Sequence, residues 1–510
     1  MGSLSMGIFD GKEPQDVLRI FEEISAIPRP SYQEKAIAEY IFKCGSEHGK
    51  EVKTDSDNNV IIYLDATEGY ENEPTIVLQA HTDMVCEKTS DCKKDMEKEG
   101  LDLVLEGDIL SARGTTLGGD DGIGVAMLLA IMEDESLKHP ALQLVFTSSE
   151  EVGMDGAKAF DIANLRGSRY LINLDSEKEG EILAGCAGGG RVNITGYPFR
   201  SDKMPEGYEY RSLRVGGLKG GHSGDEIDKG RANATRLMVT LLSKLWDEYD
   251  IRLVTLEGGS KDNAIPREAS AVIAIPADRE DEIRSVIDKT QQGIRGEYAI
   301  ADPDIFYEMT AQIPDDAYND KGEPLLPLNS DSTQEMIRLI LSLPNGVQRM
   351  SDSIPGLVET SLNLGVTRMD ENEIHLGISL RSSVGSAYEM LRDRILFIAR
   401  CFGMPTEVTG EYPAWEFRTE SKLRDKACKL YREMTGKDME VRAIHAGLEC
   451  GLFVSGMEEE LRALGREPVV EAISMGPDIF DIHTPNEHLS ISSLERTYDY
   501  LKELLAQHWD

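Results

Sequence analysis

The chain is short of positive charge, aromatic rings, histidine and long apolar runs, and each shortage excludes something. Lys and Arg number 54 against 92 Asp and Glu, giving a formal net charge of −38 over 510 residues. Such a surface repels nucleic acid and anionic lipid, and no basic stripe offsets it, so neither is expected as a partner. No run reaches the roughly 18 apolar residues that a membrane-spanning helix needs. Aromatics are only 6% of the chain, yet 40% is hydrophobic, which suits a folded protein and not a disordered acidic one. The 7 cysteines are scattered, odd in number and never spaced CxxC, as expected for reduced thiols in a cytoplasmic protein. The opening MGSLSMGIFDGKEPQDVL has no basic segment leading into an apolar one, so no secretory signal is expected. Gly2 loosely matches a myristoylation start, and nothing else supports an anchor.

The length implies two or more domains. The first third alternates helix and strand patterns. Pro14 to Ile27 reads as an amphipathic helix, and a second is expected to open near Ser31 and run to Cys44. Val60–Leu64, Thr75–Ala80, Leu142–Thr147 and Tyr170–Leu174 are short, continuously apolar runs, the pattern of strands covered on both faces. Gly122–Met132 is too long for most strands and reads as a buried helix. After Gly188-Gly189-Gly190 the strands alternate more clearly, at Arg191–Thr195, Tyr210–Val215, Ala269–Ile275, Glu359–Thr367 and Ile374–Leu380. That texture suggests antiparallel strands with one solvated face. Amphipathic helices are interleaved, at Asn233–Trp246, Glu280–Gly293, Thr333–Leu343 and Tyr388–Cys401. The fold class expected is α/β: a mixed central sheet flanked by helices, interrupted by an inserted α+β domain. The expected divisions are residues 1–188, 189–414 and 415–510, the first and last forming one domain. A helix from Ser421 to Thr435, a strand near Val470–Ser474 and a final helix opened by a capping box at Ser492–Glu495 complete it.

Five short motifs carry the chemistry, most of them directly after apolar runs. They offer His81 in TIVLQAHTDMV, Asp120 in TTLGGDDGIG, Glu151 in LVFTSSEEVG, Asp175 in YLINLDSE and His483 in FDIHTPNE. Ligands of open α/β sheets collect beyond the carboxyl ends of the strands, so residues far apart in sequence can meet there. Two imidazoles and three carboxylates form a mixed N/O donor set that suits zinc, with cobalt or manganese as substitutes. Asp83 stands two residues beyond His81, on the same side of an extended chain, where it can hold the other ring nitrogen. Glu150, beside Glu151, is a spare carboxylate of the kind needed to activate water. Singly, each motif has an ordinary reading. HxD is a polar strand end, Asp121 a good N-cap type, Asp175 a turn residue and His483 a loop histidine. Five of them in this order outweigh those readings.

HTDMV, GGDDGIG, SSEEVG, NLD, GGHSG and DIHTPNE together resemble the co-catalytic zinc peptidase family of aminoacylases, glutamate carboxypeptidases and carnosinases. Within it, GGHSGDEIDKGRANA, DNAIPRE, HAGLECG and MGPDIFDIHTPNE are similar to bacterial aminoacyl-histidine (Xaa-His) dipeptidases, and the likeness spans nearly the whole chain. The resemblance implies two zinc ions bridged by Asp120, with His81 and Asp175 on one and Glu151 and His483 on the other. It implies Glu150 as general base, Asp83 as the residue orienting His81, and a cis peptide between Asp120 and Asp121. His222 would polarise the scissile carbonyl, Asn263 and Arg381 would bind substrate, Arg381 through its C-terminal carboxylate, and His445 would face the site. The activity implied is hydrolysis of dipeptides, notably β-alanyl-histidine, by a homodimer whose inserted domain closes over the substrate. A tripeptidase, an N-acyl-amino-acid deacylase and a non-catalytic metal-binding relative are the alternatives.

Overall fold

The structure, a computed structural model, describes residues 8–509, so Gly2 lies outside the described part. The chain divides into two compact units. One comprises the chain up to Cys186, Trp415–Ala443 and everything from Leu448; the other is Ala187–Ala414 with Ile444–Gly447.

The first unit is built on an eight-stranded sheet. Its order is Glu51–Thr54, Val60–Leu64, Leu142–Thr147, Ile76–His81, Tyr170–Asn173, Glu471–Ser474, Glu181–Cys186 and Glu440–Ile444. Four neighbours in the middle, from Leu142–Thr147 to Glu471–Ser474, run parallel. Their carboxyl ends therefore share one edge. The runs read from sequence as doubly covered strands are buried at every position in Val60–Leu64, Ile76–His81 and Leu142–Thr147. Helix Gly119–Glu133 is buried from Gly119 to Met132, which is why its sequence shows no polar face. Val125, Leu128 and Leu129 join Phe21, Ile24, Ile76 and Leu78 in one core.

The second unit carries an antiparallel sheet of nine strands. Eight lie in the order Phe306–Thr310, Tyr208–Gly216, Ala269–Pro276, Arg252–Gly258, Val358–Met369, Ile374–Ser382, Gly188–Gly196 and Thr406–Tyr412, and Gly346–Met350 also pairs with Val358–Met369. The five alternating segments read from sequence all lie inside these strands. Helices Ala234–Tyr249, Glu280–Glu297, Ser330–Ser342 and Gly385–Cys401 bury apolar faces, with Leu241, Ile287, Ile340 and Ile395 in a second core.

Two expected helix starts fail for identifiable reasons. Ser31 does not open the second helix, which runs Lys35–Glu47; its hydroxyl donates instead to Asp83 Oδ2 at 2.7 Å. The cap reading of Asp121, set aside from sequence, does not apply: no side chain caps helix Gly119–Glu133, and Asp121 Oδ2 accepts the His81 N–H at 3.1 Å. The last helix, Ile491–Leu505, is capped by Ser490, which accepts from the Ser493 N–H, while Ser492 is bonded to Asp108.

Helix Gly119–Glu133 carries Asp120 at one end and core contacts along its length. Leu128→Ala should therefore destabilise the first unit by about 2–5 kcal/mol through the cavity it leaves. Urea unfolding of the variant checks this, and a loss below about 1 kcal/mol would mean that the helix is not packed as described.

Candidate metal centre

The parallel strands deliver side chains to one place because their ends coincide. His81 is the last residue of its strand, Glu150 and Glu151 follow Thr147, and Asp175 follows Asn173 by two. His483 arrives from the turn beyond Ser474, and Asp120 from the Gly-rich approach to helix Gly119–Glu133. Asp120 lies between the two histidines. Its Oδ1 is 3.0 Å from His81 Nε2, and its Oδ2 is 3.1 Å from His483 Nε2. Asp175 Oδ1 is 3.6 Å from His81 Nε2, and Glu151 Oε1 is 3.0 Å from His483 Nε2. The Asp120–Asp121 peptide is cis.

Asp83 is a hub rather than a partner of His81 alone. Its carboxylate accepts the N–H groups of Glu150 at 3.0 Å and Glu151 at 3.2 Å, besides the Ser31 hydroxyl. Oδ1 also lies 3.3 Å from His81 Nδ1, although that nitrogen makes no aligned hydrogen bond.

Charge in this cluster is unbalanced. Among the described residues, the ion pairs of Asp120, Glu151 and Asp175 are with the two imidazoles, and none is with Lys or Arg. Burial opposes ionisation of Asp120, yet hydrogen bonds from His483 and His81 hold its carboxyl well below the usual range. Burial drives Asp121, Glu150 and Asp175 well above it. Burial also disfavours a charge on His81, but the carboxylates, Asp175 foremost, overcome it and raise the imidazole. Hydrogen bonds to Asp120 and Glu151 push His483 up to about 11. So many buried acids around two imidazoles call for further positive charge. A divalent cation with N/O preferences supplies that charge and fits these donors. Three groupings have ligand atoms within 4.8 Å of one another: His81, Asp121 and Asp175; His81, Glu150 and Glu151; Asp120, Glu151 and His483.

In the second unit, His222 Nδ1 faces the N–H groups of Gly224 and Asp225, at 3.3 and 3.2 Å, and the Asp225 carboxylate at 3.1 Å. Strand pairing sets His222 against Ala264, next to Asn263, whose carbonyl accepts the Ser223 N–H at 2.8 Å. Arg381 donates through Nη1 to the Tyr412 hydroxyl at 3.2 Å, and its buried Nε has no partner. His445 Nε2 lies 2.7 Å from Ser361 Oγ.

The model of Peptidase family M20/M25/M40 matches residues 77–507. The chain belongs to this peptidase family. It is 38% identical over 495 residues to the cytosol non-specific dipeptidase of Escherichia coli, covering 97% of this chain and 98% of that one. The crystal structure of aminoacylhistidine dipeptidase from Vibrio alginolyticus superposes with a TM-score of 0.87 at 35% identity, over 99% of each chain. The aminopeptidase PepT from Bacillus cereus shares the fold at a TM-score of 0.54 and 15% identity, over 98% of this chain and 99% of that one.

Beneath the candidate ligands this peptidase has a polar layer that sequence reasoning missed. Asn173 Nδ2 donates to Gln79 Oε1 at 2.7 Å, and Gln79 Nε2 to Glu449 Oε2 at 2.6 Å. Thr147 Oγ1 reaches the same Glu449 oxygen at 2.7 Å. Burial pushes Glu449 up to about 7. Gln79 and Asn173 each stand two residues before a candidate ligand, on the same face of the strand. A polar residue inside an apolar strand, at that offset, was the available signal. Glu177 was also missed; burial, then the Asp120 charge, pushes it up to about 7.

His445 gives a pH dependence with a definite sign. Burial first, then the Arg381 charge, pushes it down to about 4. The unfolded chain titrates the same imidazole near about 6.5. Between those values the unfolded chain binds a proton that the folded one refuses. The contribution to stability is therefore complete above about pH 6.5 and shrinks on acidification toward the folded value, by at most roughly 3 kcal/mol. Urea unfolding at several pH values should show a shallower acid loss for His445→Gln than for the parent. Equal slopes would mean that His445 is not held neutral.

Proposed function

We propose that the protein is a dinuclear metal dipeptidase. The observation that carries this reading is Asp120, whose two oxygens each face a different histidine. A carboxylate so placed can serve two ions at once. His81 and Asp175 would complete one site, and Glu151 and His483 the other. Asp121 is the less apt ligand because its Oδ2 is engaged by the His81 N–H. Zinc is the ion proposed, with cobalt or manganese able to substitute. When bound, such a pair supplies Lewis acidity toward a peptide carbonyl and makes water more acidic.

The chain's own residues do the rest. Glu150 takes a proton from water and returns it to the leaving amine, and burial gives its carboxylate the raised proton affinity that this work requires. Asp83 fixes the backbone of Glu150 and Glu151 and stands behind His81. His222, engaged through Nδ1, presents Nε2 to the carbonyl oxygen. Arg381 pairs its planar guanidinium with the substrate's terminal carboxylate. Asn263 and His445 belong to the same substrate-binding set. The substrates proposed are dipeptides with a free C-terminus, β-alanyl-histidine among them. Two relatives spanning nearly all of the chain are named as dipeptidases, one for aminoacyl-histidine substrates and one as non-specific. A broad dipeptide preference is therefore favoured over strict Xaa-His selectivity. A cytoplasmic location and a homodimer complete the proposal; among the described residues, no helix is long and apolar enough to cross a membrane.

The deciding experiment compares kcat/KM for β-alanyl-histidine, Gly-His, Gly-His amide and a tripeptide, before and after chelation. Chelation should abolish turnover, and zinc, cobalt or manganese should restore it. The dipeptides should lead, and Arg381→Ala should narrow the gap between Gly-His and its amide. Undiminished activity in exhaustively metal-free protein would refute the metal reading; equal rates on all four substrates would refute the carboxylate clamp.

Glu150→Gln is nearly isosteric and cannot accept a proton. It should keep its metal content and lose about 10²–10⁴-fold in kcat. Metal analysis beside single-turnover kinetics separates the outcomes: near-normal turnover removes Glu150 as base, and loss of metal makes it a ligand.

A further inference from the structure

Two ionisable side chains are buried beside the Asp120 backbone, Glu487 and Arg29. Glu487 is 3% exposed. It accepts four successive backbone N–H groups: Leu117 at 2.9 Å and Gly118 at 3.0 Å on Oε2, Gly119 at 2.8 Å and Asp120 at 3.4 Å on Oε1. Arg29 is 1% exposed and donates only to carbonyls: Thr82 at 3.1 Å, Asp83 at 3.2 Å and Gly118 at 2.6 Å. The loop Leu117–Asp120 is thus gripped from both sides, its N–H groups by an anion and a carbonyl by a cation.

One glycine of the loop, Gly118, leaves room for this grip. Gly118 has φ +64°, and a Cβ there would come within 2.6 Å of Arg29 Nη2 and 2.7 Å of Met84 Sδ. A Cβ on Gly122 would also collide with the guanidinium. The same two side chains connect three ligand-bearing segments. Arg29 binds the carbonyls of the two residues after His81. Glu487 lies four residues after His483 in one turn, its N–H donating to the Thr484 carbonyl at 3.0 Å. The strand end of His81, the loop of Asp120 and the turn of His483 are tied through two buried charges.

We propose that Arg29 and Glu487 are positioning residues that set where the two oxygens of Asp120 stand, and through them the affinity of the metal pair. This rests on the dinuclear reading above. Charge-assisted hydrogen bonds of this kind are stronger and more directional than neutral ones, which suits a brace better than apolar packing would. Residues that support metal ligands from behind typically change metal affinity by about 10–100-fold when altered.

The test uses the full chain in metal-free form, with zinc alone as probe. Zinc affinity is read by competition with a chromogenic chelator, amide hydrogen exchange is followed at residues 117–120, and Tm is recorded. Glu487→Gln and Arg29→Met should bind zinc about 10–100-fold more weakly and exchange faster at the loop. Arg29→Lys should fall between, since an ammonium lacks the fork that reaches three carbonyls. Tyr500→Phe serves as the stability control, because it loses a buried 2.8 Å hydrogen bond to the Ala427 carbonyl far along the chain from the loop. It should lower Tm and leave zinc affinity unchanged. Parental zinc affinity and loop exchange in Glu487→Gln and Arg29→Lys would overturn the proposal, even if both variants were destabilised. If the parent and Asp120→Ala hold zinc equally, the dinuclear reading falls instead, and unaltered loop exchange in the variants would still decide against the brace.

Discussion

The repulsion among buried carboxylates at one edge of a parallel sheet is the constraint around which the first unit is organised. Asp175, Glu150 and Glu151 are drawn together by strand ends that have no freedom to diverge, and Asp120 joins them from the start of helix Gly119–Glu133. Water would ordinarily screen them; here burial removes it and drives several of the acids toward protonation. The two imidazoles take part of the load, and both are raised in consequence. Protonation and the imidazoles relieve part of this cost, and a bound cation would relieve the rest. The features nearby follow from that need: Asp83 gathers backbone N–H groups, and Ser31 serves Asp83 instead of a helix end.

Beneath the ligands the chain changes character in a single step. One pleat below His81 and Asp175 stand Gln79 and Asn173, joined to Thr147 and Glu449. Deeper positions of the same strands, Val77, Leu78 and Leu171, are apolar and buried. The polar layer costs burial energy that leucines would not. What it provides is direction: amide and hydroxyl bonds fix side-chain orientation where apolar packing fixes only volume. A centre whose ligands must meet within fractions of an ångström needs that direction more than it needs stability.

Sequence alone carried the parts of this arrangement that periodicity and residue type encode. The strands Val60–Leu64 and Leu142–Thr147 stood out as apolar runs, and helix Gly119–Glu133 as a segment with no polar face. The candidate ligands were legible jointly: each motif has an ordinary reading by itself, and five of them in this order outweigh it. The helix starts were misread at Ser31 and Ser492 because a hydroxyl near a helix start has several possible partners, and the choice is tertiary. Arg29 was silent for the same reason: between Pro28 and Pro30 it looks like a loop cation, and only folding puts three carbonyls around it. Glu487 and Glu449 sat inside recognised motifs, yet their roles depend on which backbone lies opposite, information no local pattern holds. The short return of Ile444–Gly447 to the second unit carries His445 and has no periodic signature at all.

The second unit solves the opposite electrostatic problem. Arg381 is a fixed cation with a buried Nε that has no partner. His445 would repel it if protonated, and burial together with that same charge keeps the imidazole neutral down to about pH 4. Neutral, His445 can bond Ser361 without competing for an anion. Asp225 is the acid of this group, and its hydrogen bond to His222, with help from the Arg381 charge, holds its carboxyl below the usual range against the effect of burial. Asp225 pairs with His222 at 3.1 Å, so on the proposed reading Arg381 remains available to a substrate carboxylate. A small carboxylate with two oxygens in one plane satisfies the guanidinium better than water does, since an unpaired buried donor is costly. Where the first unit gathers acids that suit a cation, the second would, on the proposed reading, use Arg381 as a clamp for a substrate's carboxylate.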